Sequence, residues 1–180
     1  MLTPKPSPIT PASKIASKGG FWGWLLIAAV IILADQITKQ YMENALHYAE
    51  RWPVLPFFDF TLLYNPGAAF SFLADGAGWQ RWFFTLVALV ATTLIVYMLR
   101  KNPHQKLFCA SLALILGGAI GNVIDRVWHA HVIDFLLFYW RDWYFPAFNV
   151  ADIAITCGAI LLILDEFIRL RKNKKIKEQL

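Results

Sequence analysis

GGAIGNVIDR (residues 117–126), VIDF (132–135) and FNVAD (148–152) are three short stretches where polar and ionisable residues stand at the ends of long apolar runs. The runs are long enough to cross a bilayer. A carboxylate kept beside hydrocarbon is costly, so residues of this kind point to function rather than to packing. Read outward from here, the chain is expected to be an all-α membrane protein. Four transmembrane helices carry a small outward-facing β-sheet, and two aspartates, Asp134 and Asp152, lie at the centre.

Composition supports the membrane class. Of the 180 residues 58% are hydrophobic and only 16% charged, with a mean hydropathy of +0.48. Soluble domains run at about 45–50% apolar and about 25% charged. The net charge of +5 raises nucleic acid as a partner, but the placement of the basic residues excludes it. They gather at Lys5, Lys14 and Lys18, at Arg100, Lys101 and Lys106, and from Arg169 to Lys177. Basic residues bunched between apolar runs are a topology signal. Cys109 and Cys157 lie in separate apolar runs and make no disulfide framework; both read as small buried hydrophobes.

In chain order, residues 1–20 are a basic cytoplasmic tail broken by Pro4, Pro6, Pro8 and Pro11. A four-helix transmembrane domain with its outer-face sheet is expected over 21–170, and a second basic cytoplasmic tail over 171–180. Phe21–Tyr41 is the first span, with Trp22 and Trp24 suited to an interface. Asp35 and Lys39 fall four apart on one helix face, as an internal ion pair would. Pro53 and Pro56 break any helix, and the alternation from Phe58 to Tyr64 predicts a strand. Asn65-Pro66-Gly67 suits a type II turn, with 68–72 returning as partner strand. A sheet edge cannot lie open in hydrocarbon, so this sheet, about 50–75, belongs at the outer surface. The remaining spans are expected at Trp79–Leu99, Leu107–Val127 and Val150–Ile168, with Trp140, Trp143 and Tyr144 at the interface. Gly117, Gly121 and Asp125 recur every fourth residue, a spacing that lets helices approach closely. The basic clusters place both termini in the cytoplasm and both aspartate-bearing connections outside.

Asp134 and Asp152 are thus expected at similar depth on one side. Two carboxylates sharing a dry site cannot both ionise, so one keeps a proton. Such a pair hydrolyses peptides: one member takes a proton from water while the other polarises the scissile carbonyl. Plainer roles exist. Asn149 is a good N-cap, acids favour a first helical turn, and Asp134 suits an interfacial surface. Ser71 and Ser111 lack a neighbouring base, and His129 with His131 lack a third ligand, so neither a metal nor a cofactor is implied. GAIGN lacks the Lys-Ser/Thr of a phosphate loop. A proton-coupled transporter and a membrane scaffold are the competing classes; the first expects a midplane site between repeats, and the second tolerates loss of either aspartate.

Taken in order, NPGAAF (65–70), GN…DR (121–126), VIDF (132–135) and FNVAD (148–152), preceded by Asp35…Lys39, resemble the bacterial lipoprotein signal peptidases, the signal peptidase II family. The resemblance covers roughly residues 21–170. It implies an aspartic endopeptidase of the bacterial inner membrane, acting at the periplasmic face. The implied substrate is a prolipoprotein whose future N-terminal cysteine carries a diacylglyceryl group, cut just before that cysteine. The implied catalytic dyad is Asp134 and Asp152. Asn65, Gly67, Asn122, Arg126 and Asn149 would hold substrate or stabilise the site, and Asp35, Lys39 and Asp125 would support it. The resemblance also implies contact with membrane lipids and inhibition by the cyclic lipopeptide globomycin.

Overall fold

A computed structural model describes residues 18–67 and 78–178. Four helices alternate with strands: α1 (Lys18–Ala45), β1 (Arg51–Leu55), β2 (Phe58–Asn65), α2 (Trp79–Lys101), α3 (Lys106–Trp128), β3 (Val132–Trp140), β4 (Trp143–Tyr144) and α4 (Val150–Lys177). Helix ends follow local chemistry. α2 starts after Gly78, whose φ of 80° favours glycine. It stops short of Pro103 with Arg100 and Lys101 in its last turn, where cations meet the negative helix end. α4 starts at a capping box made by Asn149 and Asp152.

Three segments are long and apolar enough to cross a membrane: Gly20–Ala45, Trp79–Lys101 and Lys106–Trp128, with mean hydropathies of 1.8, 2.2 and 2.1. The fourth helix differs. Its uncharged stretch, 153–164, ends at Asp165 and Glu166 and spans roughly 18 Å, against the ~30 Å of a hydrocarbon core.

The bundle is apolar on its outside. α1 exposes Leu26, Val30, Leu33 and Ile37, and α2 exposes Leu86, Val87, Val90 and Leu94. α3 is the central helix, with Leu112, Ala113, Leu116, Gly117, Gly118 and Gly121 buried. Its glycines admit both neighbours. A Cβ on Gly117 would stand 2.8 Å from the Ala28 carbonyl oxygen of α1, and one on Gly118 would collide with the Ala151 carbonyl of α4. This is the close approach expected of small residues in a membrane bundle. Ala28, Ile95, Leu99, Cys109, Leu112 and Leu116 fill the half of the bundle remote from the sheet.

The sheet is antiparallel in the order β1-β2-β3-β4. The expected strand at 58–64 is β2, but its described partners are β1 and β3. The expected return strand at 68–72 lies outside the described residues. Residues 128–147, read from sequence as a connection, instead contain β3 and β4. The reason is burial: β3 begins with Val132, Ile133, Asp134 and Phe135 all buried, so its start lacks the alternation that marks a half-buried strand. Met42 and Leu46 at the end of α1 pack against Leu62, Ile133 and Phe135. That contact fixes the sheet over one end of the bundle. α3 reaches β3 through only His129, Ala130 and His131, with Ala130 at φ 67°. Asp134 is thereby held close to the end of α3.

Candidate active site

Three elements deliver the central carboxylates. Asp134 lies on β3 opposite Leu63 of β2. Its Oδ2 accepts from Asn65 Nδ2 at 3.2 Å, and its Oδ1 accepts from Asn149 Nδ2 at 2.7 Å. Asp152 is in the first turn of α4. Its Oδ1 accepts from Asn122 Nδ2 at 2.8 Å and its Oδ2 from the Asn149 backbone N–H at 3.3 Å. Asn149 therefore touches both acids. Its own Oδ1 accepts from the Asp152 backbone N–H at 3.0 Å, which caps α4. The cap and the link between the carboxylates are one residue: its side chain meets Asp134 and its backbone N–H meets Asp152. Gly67 shapes the other contact: at φ 103° it donates its N–H to Asn65 Oδ1 at 2.9 Å, which leaves Asn65 Nδ2 for Asp134.

Behind the acids lies a buried charge cluster. Lys39 Nζ is 2.8 Å from Asp35 Oδ2, 2.8 Å from Asp125 Oδ2 and 3.0 Å from Asn122 Oδ1. Lys39 thereby fixes the Asn122 amide so that its NH₂ faces Asp152. Asp35 Oδ1 accepts from the Ala151 backbone N–H at 2.8 Å, and Asp125 Oδ2 from the Ile133 N–H at 3.2 Å. Each acid thus ties α1 or α3 to the segment that bears a central carboxylate. Asp35, Lys39 and Asp125 are almost wholly buried; buried charges persist when paired and hydrogen-bonded in this way.

Burial pushes the Asp134 carboxyl up to about 7, and the Asp152 charge adds to this, while bonds from Asn65 and Asn149 and the Lys39 charge oppose it. Arg126 Nη1 donates to the Asn122 carbonyl at 3.2 Å, and its guanidinium lies 5.5 Å from the Phe84 ring centroid. Its Nε is buried without a hydrogen-bond partner among the described residues.

The structure thus brings Asp134, Asp152, Asn65, Asn122 and Asn149 into one hydrogen-bonded group. Asp35, Lys39 and Asp125 adjoin it through Asn122, and Arg126 touches it through the Asn122 backbone. Sequence reasoning missed Gln36. Its Nε2 donates to Asp125 Oδ1 at 2.8 Å and to Asp35 Oδ2 and the Gly121 carbonyl, both at 3.2 Å. The signal was present: an amide inside an apolar run needs partners as much as a charge does. Chemically, the arrangement is a buried acid with a raised pKa beside a second, more open carboxylate.

Residues 27–168 match the family model described as signal peptidase (SPase) II. The chain is 52% identical over 159 residues to the lipoprotein signal peptidase of Paraburkholderia phytofirmans, a match covering 88% of this chain and 92% of that protein. It is 55% identical over 150 residues to the lipoprotein signal peptidase of Cupriavidus pinatubonensis, covering 83% and 85%. A bacterial membrane enzyme solved by the in meso method at 2.3 Å resolution superposes with a TM-score of 0.73 at 29% identity, covering 85% of this chain and 92% of that one.

Proposed function

Since this chain belongs to the signal peptidase II family of peptidases, we propose that it removes signal peptides from diacylglyceryl-modified prolipoproteins. It cuts just before the lipidated cysteine, with Asp134 and Asp152 as an aspartic dyad. The observation that carries this reading is the bridging of two carboxylates by Asn149, one of them with its pKa pushed up to about 7.

Asp134 holds the shared proton at neutral pH, since its buried position disfavours the charge. Asp152 is the base. It takes a proton from a water molecule, whose oxygen attacks the scissile carbonyl carbon. Asp134 gives its proton to the carbonyl oxygen, forming a tetrahedral diol. When the diol collapses, the C–N bond breaks, the amine leaves with the proton held by Asp152, and one hydroxyl proton returns to Asp134. Asn65, Asn122 and Asn149 keep the two acids oriented. Arg126 stands beside this group, its Nη1 on the Asn122 carbonyl, and its buried Nε has no partner among the described residues, a costly state for a donor. Asp35, Lys39 and Asp125 position this group without touching substrate.

The bundle sits in the inner membrane as four spans, α4 included, with both basic tails in the cytoplasm and the sheet on the periplasmic side. Residues 21–170 form the working domain. Globomycin is an expected inhibitor. The test is cleavage of a lipidated precursor by the purified protein. Asp134→Asn and Asp152→Asn each reduce turnover by about 10³-fold or more. If either variant accumulates normally and cuts near the wild-type rate, the dyad assignment fails.

A further inference from the structure

At the end of the bundle remote from the sheet, a groove of about 380 Å³ lies between the first turns of α1 and the loop that joins α2 to α3. Gly23, Trp24 and Ile27 line it from α1, and Pro103, His104 and Lys106 line it from the other side. The loop is firmly built. Asn102 Nδ2 donates to the Met98 carbonyl at 3.0 Å, and Asn102 Oδ1 accepts from Gln105 Nε2 at 3.0 Å. Trp24 Nε1 donates to the Pro103 carbonyl at 3.2 Å, which ties the loop to α1. Gly23 keeps the space between them open. A glycine inside a helix is destabilising. Gly117, Gly118, Gly121 and Gly158 are each explained by a close neighbour, whereas a Cβ on Gly23 would meet nothing within 4 Å. The groove is also cationic. Neither residues 1–34 nor residues 76–124 contain an Asp or Glu. Lys106 makes no ion pair among the described residues, and the Arg100 guanidinium lies 5.2 Å from the Phe21 ring centroid. Asp165 and Glu166 of α4 are already met by Arg169.

We infer that this groove binds the headgroup of an anionic phospholipid, with the first part of one acyl chain laid along Gly23 and Ile27. Depth, charge and size select that occupant. Gly20 opens the apolar segment of α1, so the groove lies where headgroups meet hydrocarbon. Ile27 and Val30, both exposed, lead from it into lipid. A phosphate beside Lys106 meets a cation that lacks an acid partner. A zwitterionic headgroup brings a cation of its own, and the groove offers that cation no carboxylate. The chain's own tail is repelled, since residues 1–20 carry Lys5, Lys14 and Lys18 and no acid. At about 30 Å³ per water-sized group, the space holds roughly a dozen non-hydrogen atoms. That is a phosphoglycerol and a few methylenes, whereas a second helix, about 10–12 Å wide, does not fit. A lipid seated there links α1 to the α2–α3 loop across the gap that Gly23 leaves. Its effect belongs to the stability of this end of the bundle, because a ligand that binds only the folded chain stabilises it.

The test places the full-length protein in phosphatidylcholine nanodiscs. These contain a minor fraction of phosphatidylglycerol with a diazirine near the top of one acyl chain or, at the same fraction, phosphatidylcholine with the same chain. Photolysis is expected to label residues 20–30 about fivefold more with the anionic lipid. Lys106→Glu is expected to bring the two lipids level, while Lys106→Arg keeps the preference. Gly23→Leu fills the groove and keeps every charge, so it separates the groove from a general attraction of anionic lipid to a basic surface. It too is expected to remove the preference. Equal labelling of the wild type by the two lipids, or a preference that survives Gly23→Leu or Lys106→Glu, would overturn the inference. A second arm puts a photo-reactive side chain at Ile27. Links to lipid are expected; links to residues 1–17 or to a second copy of the chain instead would give the groove another occupant and overturn the inference as well. Cleavage of a lipidated precursor in the same nanodiscs reports on the other end of the bundle, so the peptidase reading stands or falls separately.

Discussion

Asn149 shows how much one residue can carry. It closes the N-terminus of α4, donates to Asp134, and offers its backbone N–H to Asp152. Asn149→Asp preserves the cap, since aspartate is an equally good one. It also replaces a donor facing Asp134 with a third carboxylate. The expected result is normal helix content by circular dichroism with cleavage reduced by about 10²-fold or more, as like charges push the dyad protons out of balance. Activity near wild type would mean that the bridge is only a helix cap. Asp134 itself predicts a pH dependence. Its folded pKa, about 7, lies above the ordinary carboxyl value of 3.8, so between those values the folded chain binds the extra proton. Stability from this group is present in full at low pH and is lost as pH rises through about 7. Thermal transitions measured at pH 5 and pH 8 should differ less in Asp134→Asn than in the wild type. Turnover should likewise decline above about pH 7 as the dyad loses its shared proton. A flat profile from pH 6 to 9 would assign the proton elsewhere.

At the scale of elements, α3 and its neighbours are held together by both packing and charge. Lys39 is the sole cation bonded to Asp35 and Asp125 among the described residues. Lys39→Met leaves two buried acids uncompensated, a change worth about 3–5 kcal/mol of stability. The variant should accumulate poorly, and its melting transition in detergent should drop; an unchanged transition would mean that water reaches the cluster. Much of this was legible in the sequence. The spacing of Asp35 and Lys39 showed the pair, Asn149 and Asp152 read as a helix start, and the glycine spacing in α3 read as a seam. β3 was not legible, because burial at its start erased the alternation that identified β2. Nor was the union of Asp125 with Lys39, which depends on how far α1 and α3 slide past each other. Local patterns report on a residue's own element, whereas a contact across 86 positions needs the packing that Gly117 and Gly121 permit.

At the scale of the whole molecule, the proposed topology turns on α4. Its uncharged stretch is short, yet Ile160, Ile163, Leu164 and Phe167 are 59%, 68%, 48% and 58% exposed. Water would have to cover that stripe in any arrangement that keeps α4 out of the bilayer, at about 25 cal/mol for each Å². The charges that interrupt it are manageable. Asp165 is largely tucked against the protein and lies 3.6 Å from Arg169, and apolar side chains resume at Phe167, Ile168 and Leu170. Counted through Leu170, the apolar face is roughly 27 Å long, close to a hydrocarbon core of ~30 Å. The 28 residues of α4 reach about 42 Å, the thickness of a bilayer with its headgroups. In the proposed four-span arrangement, Lys172, Lys174, Lys175 and Lys177 would fall in the cytoplasmic interface, as basic residues prefer. Single cysteines at Tyr144 and Lys174, placed in a background with both Cys109→Ala and Cys157→Ala, discriminate the two arrangements. With a membrane-impermeant maleimide, Tyr144→Cys should react from the periplasmic side of spheroplasts, and Lys174→Cys only after lysis. Labelling of both before lysis would put the two ends of α4 on one side. The helix would then lie along the surface, and Asp152 would sit at the mouth of a three-span bundle rather than a four-span one.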